Sequence, residues 1–370
     1  MTMRDTVFSP SFGNRPERLV GREKVLEDFS ESLDSRPGSK ERATVLLGQR
    51  GSGKTVLLWE MADRASSRGF VVAKPTIASA GMLERIVEKV QDDGERHVKG
   101  RGARLVGGSV GALGFSAGLQ FSREVQESRS FSYKLTHLVR ELTAQGKGTL
   151  ILVDELQANS PEVRQLVITY QELVGEQLNV ALVMAGLPGA VAATLNDRIL
   201  TFLNRAKKVT LGPLALVDVD AFYKKAFSEV GLVMDGETRR KAAEATQGSP
   251  YLLQLIGHYL VAYASDDGSL GGDGFAEALA AAQRDFENDV CKTSLASLSD
   301  KDVAFLEAMA CDADSSTMAD IASRMCVTPD YAQKYRKRLI NAGIIEQSGR
   351  GKVAFAVPYL KSYLQGEDCR

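Results

Sequence analysis

The sequence is poor in cysteine and histidine. Cys291, Cys311, Cys326 and Cys369, with His97, His137 and His258, are scattered through 370 residues. There is no C-x-x-C pair and no close pair of histidines, so neither a zinc site nor a dithiol redox centre is legible, and isolated reduced thiols are expected. Long apolar runs are also missing, none approaching the ~20 residues of a helical membrane span. The opening Met1-Thr2-Met3-Arg4-Asp5 leads into polar sequence instead of an apolar targeting stretch, so a cytoplasmic location and no membrane partner are the expectation. Net charge is nearly absent, with 46 Lys and Arg against 47 Asp and Glu. Any attraction to nucleic acid must therefore come from a local basic patch.

What is present is enough chain for two or three domains, with 44% hydrophobic and 25% charged residues, as in ordinary globular proteins. Short apolar runs at 43–47, 69–74, 148–153, 178–184 and 208–211 read as strands, and helical segments separate most of them. That alternation predicts an α/β fold with a parallel sheet covered on both faces, occupying residues 1–212. Val25, Phe29 and Leu33 stand at helical spacing ahead of the first strand.

The interval 77–147 is too long for a simple crossover and is read as an insertion. It opens with a helix around Met82–Val87 and continues with Arg96, His97, Lys99, Arg101 and Arg104, balanced in part by Asp92, Asp93 and Glu95. Alternating Leu113, Phe115, Ala117, Leu119 and Phe121 then suggest an amphipathic strand or hairpin. Residues 213–292 carry helical periodicity and read as a small helical domain. Residues 293–370 spell helix, turn, helix and two short strands around Ser348-Gly349-Arg350-Gly351, the pattern of a winged helix.

The most specific stretch is Gly48-Gln49-Arg50-Gly51-Ser52-Gly53-Lys54-Thr55, a complete G-x-x-x-x-G-K-[ST] loop between a strand-like and a helix-like run. Its glycines let successive backbone N–H groups turn toward phosphate oxygens, and the following helix adds the positive end of its dipole. Lys54 is placed to reach β- and γ-phosphates and the Thr55 hydroxyl to ligate Mg²⁺. The run Leu150-Ile151-Leu152-Val153 ends in Asp154-Glu155. In a parallel sheet ligands sit beyond the carboxyl ends of the strands, so these acids are expected beside the loop, Asp154 holding Mg²⁺ and Glu155 orienting the attacking water.

With Leu19-Val20-Gly21-Arg22-Glu23, Gly48–Thr55, Asp154-Glu155 and Gly248-Ser249-Pro250 in place ahead of a terminal winged helix, the chain resembles AAA+ ATPases. The resemblance is to the origin-recognition and initiator type and to the related prokaryotic STAND ATPases, from Leu19 to Leu364. It implies a parallel-sheet P-loop core, a helical lid, ATP and Mg²⁺ as ligands, and adenine-side contacts at Val20, Gly21 and Pro250. Two departures stand out: the fourth strand ends Val183-Met184-Ala185-Gly186 without a polar sensor, and no arginine follows Gly248-Ser249-Pro250 in the lid. Arg205 or Arg198 is left as the arginine that would act across a homo-oligomer interface. Slow hydrolysis, suited to a switch, is the expectation.

In the last domain Lys334, Arg336, Lys337 and Arg338 share one helix with Ala332, Tyr335 and Leu339, and Arg350 and Lys352 lie in the wing. Gln333, Lys334, Lys337, Arg350 and Lys352 are the candidate contacts to duplex DNA, where clustered cations release counterions. The same surface could instead bind a protein partner, as in a signalling or defence scaffold, and the residues alone leave both open.

Overall fold

A computed structural model of the chain describes residues 7–11, 15–16, 18–99, 130–197 and 200–367. The core sheet has five strands: β1 (Ala43–Gly48), β2 (Phe70–Ile77), β3 (Gly148–Asp154), β4 (Val180–Gly186) and β5 (Lys207–Leu211). Their order is β2-β3-β4-β1-β5 and every pairing is parallel, as the alternation of apolar runs and helices predicts.

Side-chain alternation explains why both faces are covered. Leu150 and Leu152 of β3 join the core under α1 (Glu23–Asp34) and α2 (Lys54–Ser67), with Leu58 and Met61. Ile151 and Val153 point the other way, into the core beneath α3 (Met82–Lys99), α4 (Phe131–Ala144) and α5 (Pro161–Gly175). The exposed edge at β2 is blunted by α3. Lys89 Nζ donates to the carbonyls of Lys74 (3.1 Å) and Pro75 (3.0 Å), and Asp93 accepts the Val72 N–H at 2.8 Å. Side chains thereby occupy groups that another strand would otherwise use.

The interval expected to hold an insertion begins with α3 and ends with α4, which pack together on the sheet. The side chains of Arg96, His97 and Lys99, as well as Arg101, Arg104 and the alternating run at 113–121, lie outside the described residues.

Beyond the sheet, α6 (Pro188–Leu195) follows β4, and the lid comprises α7 (Leu216–Val230), α8 (Gly236–Ala245), α9 (Pro250–Ala262) and α10 (Gly272–Phe286). A π-helical turn, Glu287–Cys291, and the short α11 (Lys292–Leu295) carry the chain onward. The C-terminal unit then contains α12 (Asp300–Ala310), β6 (Ser316–Thr317), α13 (Met318–Arg324), α14 (Pro329–Asn341), β7 (Ile345–Gly349), β8 (Lys352–Phe355) and α15 (Leu360–Glu367). Its three strands form an antiparallel sheet ordered β6-β8-β7, one strand more than the two expected.

Helix α14 begins where its sequence signals place it: Thr328 accepts the Tyr331 N–H and Pro329 occupies the first turn. Ala332, Tyr335 and Leu339 are its buried residues. Lid and C-terminal unit share one apolar core, in which Phe286 lies edge-on to Tyr359 at 6.3 Å and Tyr359 Oη donates to the Ala245 carbonyl at 2.7 Å.

Candidate nucleotide site

The phosphate loop spans the end of β1 and the start of α2, and its backbone needs glycine. Gly53 holds φ +83°, in the left-handed region, and a Cβ on Gly48 would run into Ser52 Oγ. The Ser52 hydroxyl is buried and has no hydrogen-bond partner among the described residues, a polar atom at the cradle. Lys54 is folded back on the loop, its Nζ donating to the carbonyls of Gly48 (2.9 Å) and Gln49 (2.6 Å). Burial pushes its ammonium pKa down to about 8, against the partial compensation of Asp154 and Glu155.

Parallel pairing brings the end of β3 to the same mouth. Thr55 Oγ1 donates to Asp154 Oδ2 at 2.6 Å, and the other carboxylate oxygen accepts the Glu155 N–H at 2.8 Å. Asp154 is buried, while Glu155, with φ +52°, swings its side chain out to the exposed side of the mouth. Two hard oxygen donors in contact suit Mg²⁺, whose remaining positions are usually filled by water and phosphate oxygens. Among the described residues there is no cluster of three or more His, Cys, Asp or Glu that would hold a metal by protein groups alone.

These groups line one cleft of about 1190 Å³ between sheet and lid. Val20, Gly51, Ser52, Gly53, Lys54 and Thr55 line it from the core side, with Asp154 and Glu155, and Pro250 faces them from the first turn of α9. Gly48 and Gly21 do not line the cleft. Gly48 shapes the loop from behind, and Gly21 (φ +63°) turns the chain beside Asp218 of the lid. Within residues 213–292 the Leu214 N–H donates to the Gly248 carbonyl at 2.8 Å, holding the entry to the lid against the turn before Pro250.

Sequence reasoning missed several parts of the wall. Ser9, Pro10 and Ser11 line the cleft because Phe8 inserts between lid aromatics, 6.0 Å from Phe222 and 5.8 Å from Phe227, and Ser9 N–H donates to Gln254 at 2.8 Å. The one available signal was an apolar pair, Val7-Phe8, inside a polar entry. The lid contributes Tyr251, His258 and Tyr259, with Asp285 and Asp289 accepting the Tyr259 and Tyr251 hydroxyls. No lysine or arginine of the lid lines the cleft among the described residues. The end of β4 is occupied by packing, since Ala185 O accepts the Leu156 N–H at 2.9 Å.

Arg205 closes a 3-10 turn, Thr201–Arg205, and is exposed. It precedes β5 at the amino end of the sheet, whereas the cleft opens at the carboxyl ends. The length of β5, about 13 Å for four rises of roughly 3.3 Å, therefore separates it from its own loop. Arg198 lies outside the described residues.

In the C-terminal unit Gln333, Lys334, Lys337, Arg350 and Lys352 are all exposed. The basic cluster on α14 is smaller than its sequence suggests. Arg338 is committed to Asp302 (Nε to Oδ1, 2.7 Å) and Ser299, and Arg336 donates to Gln347 at 3.1 Å.

The sheet order, the loop at the end of β1 and the acids at the end of β3 define a P-loop AAA+ ATPase fold. Residues 18–184 match the family model of the AAA ATPase domain, and residues 288–364 match that of a domain of unknown function (DUF8462). Among solved structures the chain is similar to a Walker-type ATPase of Pyrococcus abyssi, with 18% identity, 97% of this chain and 100% of that one covered, and a TM-score of 0.69. It is similar to the ORC2 protein of Aeropyrum pernix in ADPNP–ADP complexes, with 15% identity, 98% of each chain covered and a TM-score of 0.63. Cdc6p of Pyrobaculum aerophilum shows 16% identity over 99% of each chain, with a TM-score of 0.52. No curated protein matches the chain. The structural likenesses bear on the fold, and the AAA ATPase domain match supports ATPase activity in general. No helix among the described residues is long and apolar enough to cross a membrane.

Proposed function

We propose that the chain binds ATP with Mg²⁺ in the cleft between sheet and lid, hydrolyses it slowly, and uses the nucleotide state to control a C-terminal winged helix that binds duplex DNA. The observation that carries the nucleotide reading is the contact of Thr55 Oγ1 with Asp154 Oδ2 at the mouth that also holds Lys54. Lys54 and the exposed Arg50 supply positive charge for phosphates, the orphaned Ser52 hydroxyl awaits a partner, and Val20 and Pro250 stand at the base side. Glu155 is the group to polarise the attacking water. The apolar end of β4 and the uncharged or acidic lid wall omit two aids to turnover, so the rate is low, and a neighbouring subunit's Arg205 supplies transition-state charge.

The DNA reading rests on the exposed Lys334 and Lys337 of α14 and on Arg350 and Lys352 of the β7–β8 turn. It is tested by duplex binding across a salt series in ATP, ADP and no nucleotide. A linear fall of log affinity with log salt supports it. Absence of salt-dependent binding in all three states overturns it in favour of a STAND-like scaffold whose winged helix contacts protein. That second reading is favoured by the internal pairing of Arg336 and Arg338.

A further inference from the structure

Gln254 stands in the apolar run Leu252-Leu253-Gln254-Leu255-Ile256 of α9, whose five side chains are all buried, and it is itself only 8% exposed. An amide in such a place is costly unless both of its ends find partners. One end has: Gln254 Oε1 accepts the Ser9 N–H at 2.8 Å. The other, Nε2, has no hydrogen-bond partner among the described residues, and the residue lines the cleft.

The bond from Ser9 fixes the amide end for end, because the nitrogen donates and cannot accept an N–H. Ser9 is anchored in turn, since the ring of Phe8 fills the room that Gly257 leaves on α9 and lies against Phe222 and Phe227. The cleft therefore receives a donor that cannot turn round into an acceptor.

Its place along the helix gives the class of ligand. A Cβ on Gly53 of the phosphate loop would touch Pro250 at 3.8 Å, and Gln254 follows Pro250 by four residues on the same face, about 6 Å farther from the loop. Val20, Leu214 and Leu253 give this part of the cleft apolar walls. Apolar walls with one fixed donor suit a flat heteroaromatic ring that offers an unprotonated nitrogen in its plane.

We propose that Gln254 reads the nucleobase: its Nε2 donates to a ring nitrogen of adenine while Ser9 holds its oxygen. The proposal rests on reading Gly48–Thr55 as the phosphate site. A purine carrying C–H in place of that nitrogen would leave the buried donor unpaired, and a site built round a hydrogen bond rejects the analogue that lacks it.

The test is competition of ATP and of 1-deaza-, 3-deaza- and 7-deaza-ATP against a ribose-labelled fluorescent ATP, on the full chain with Mg²⁺. One of the three analogues is expected to bind wild type about tenfold more weakly than ATP, and the other two within about threefold. In Gln254→Met, and independently in Gln254→Glu, which keeps an acceptor for Ser9, ATP itself should lose about tenfold and that analogue nothing further. Equal affinity of wild type for ATP and all three analogues overturns the base contact and leaves the phosphate site standing, since a side chain that only anchors Ser9 is blind to the ring atom. A deaza penalty that persists in both variants overturns Gln254 as the donor. If neither the labelled nucleotide nor ATP binds wild type, the phosphate-site reading falls and the base contact with it.

Discussion

Thr55 Oγ1 and Asp154 Oδ2 lie 2.6 Å apart although 99 residues separate them, because β1 and β3 run parallel in one sheet with β4 between them. One oxygen comes from the first turn of a helix and the other from the end of a buried strand, so neither position drifts. If the pair serves Mg²⁺, Asp154→Asn should leave nucleotide affinity in EDTA within about threefold and remove about tenfold or more of the affinity gained with Mg²⁺, the scale of losing a metal-site group. Titrations with and without the ion check this. An equal gain in both proteins would remove Asp154 from the metal site.

Glu155 differs from Asp154 in exposure: the first is exposed and the second buried. Its left-handed backbone, φ +52°, turns the side chain away from the buried carboxylate and toward the cleft. Glu155→Gln keeps size and hydrogen-bonding reach but removes the proton acceptor. Phosphate release should fall by about 10² or more, the lower end of general-base contributions, with nucleotide affinity within a few-fold of wild type. Parallel loss of binding and turnover would mean that Glu155 builds the site instead of activating water.

Lys54 gives the site a pH dependence whose sign is fixed by burial. In the free protein desolvation lowers its pKa to about 8, and a bound triphosphate would add negative charge and raise it. Binding therefore takes up a proton above about pH 8, and affinity should fall there by up to about tenfold per pH unit while staying flat near pH 7. Calorimetry in buffers of different ionisation enthalpy measures the proton directly. For stability the sign is opposite: with the folded pKa below the unfolded value, the unfolded chain binds more protons between pH 8 and 10.5, and this group's contribution rises with pH through that window. Lys54→Ala should abolish tight nucleotide binding.

The parts of this molecule that were legible in its sequence are those whose signal is local. The loop at Gly48–Thr55, the apolar run ending in Asp154-Glu155 and the Thr328-Pro329 start of α14 each declare themselves within ten residues, because strand aiming, glycine torsions and helix capping are short-range physics. The docking of Gln49 on Gly343 and Ala356 was not legible. It joins residues about three hundred apart through backbone carbonyls, and every residue has one. Phe8 was missed for a related reason, since one aromatic in a polar entry shows nothing of the lid pocket that receives it. Arg338 was misgrouped because helix spacing places it near Lys334 and Lys337, whereas its partner Asp302 lies 36 residues earlier.

That pairing divides the basic residues of α14 into two kinds with opposite expected phenotypes. Asp302 is buried and also accepts from Ser299, so Arg338→Ala leaves a carboxylate without its cation inside the C-terminal unit. Breaking a fully buried pair costs about 3–5 kcal/mol, and because Arg338 itself is half exposed a loss nearer about 1–2 kcal/mol is expected. Thermal or denaturant unfolding would register it. Lys334 and Lys337 are exposed, so replacing both with Ala should leave unfolding nearly unchanged. If α14 faces a duplex, the double variant should lower the slope of log affinity against log salt by about 1.8, two phosphate contacts at about 0.9 each. An unchanged slope together with unchanged stability would show that these lysines meet no phosphates and would direct the search for the partner of α14 toward protein.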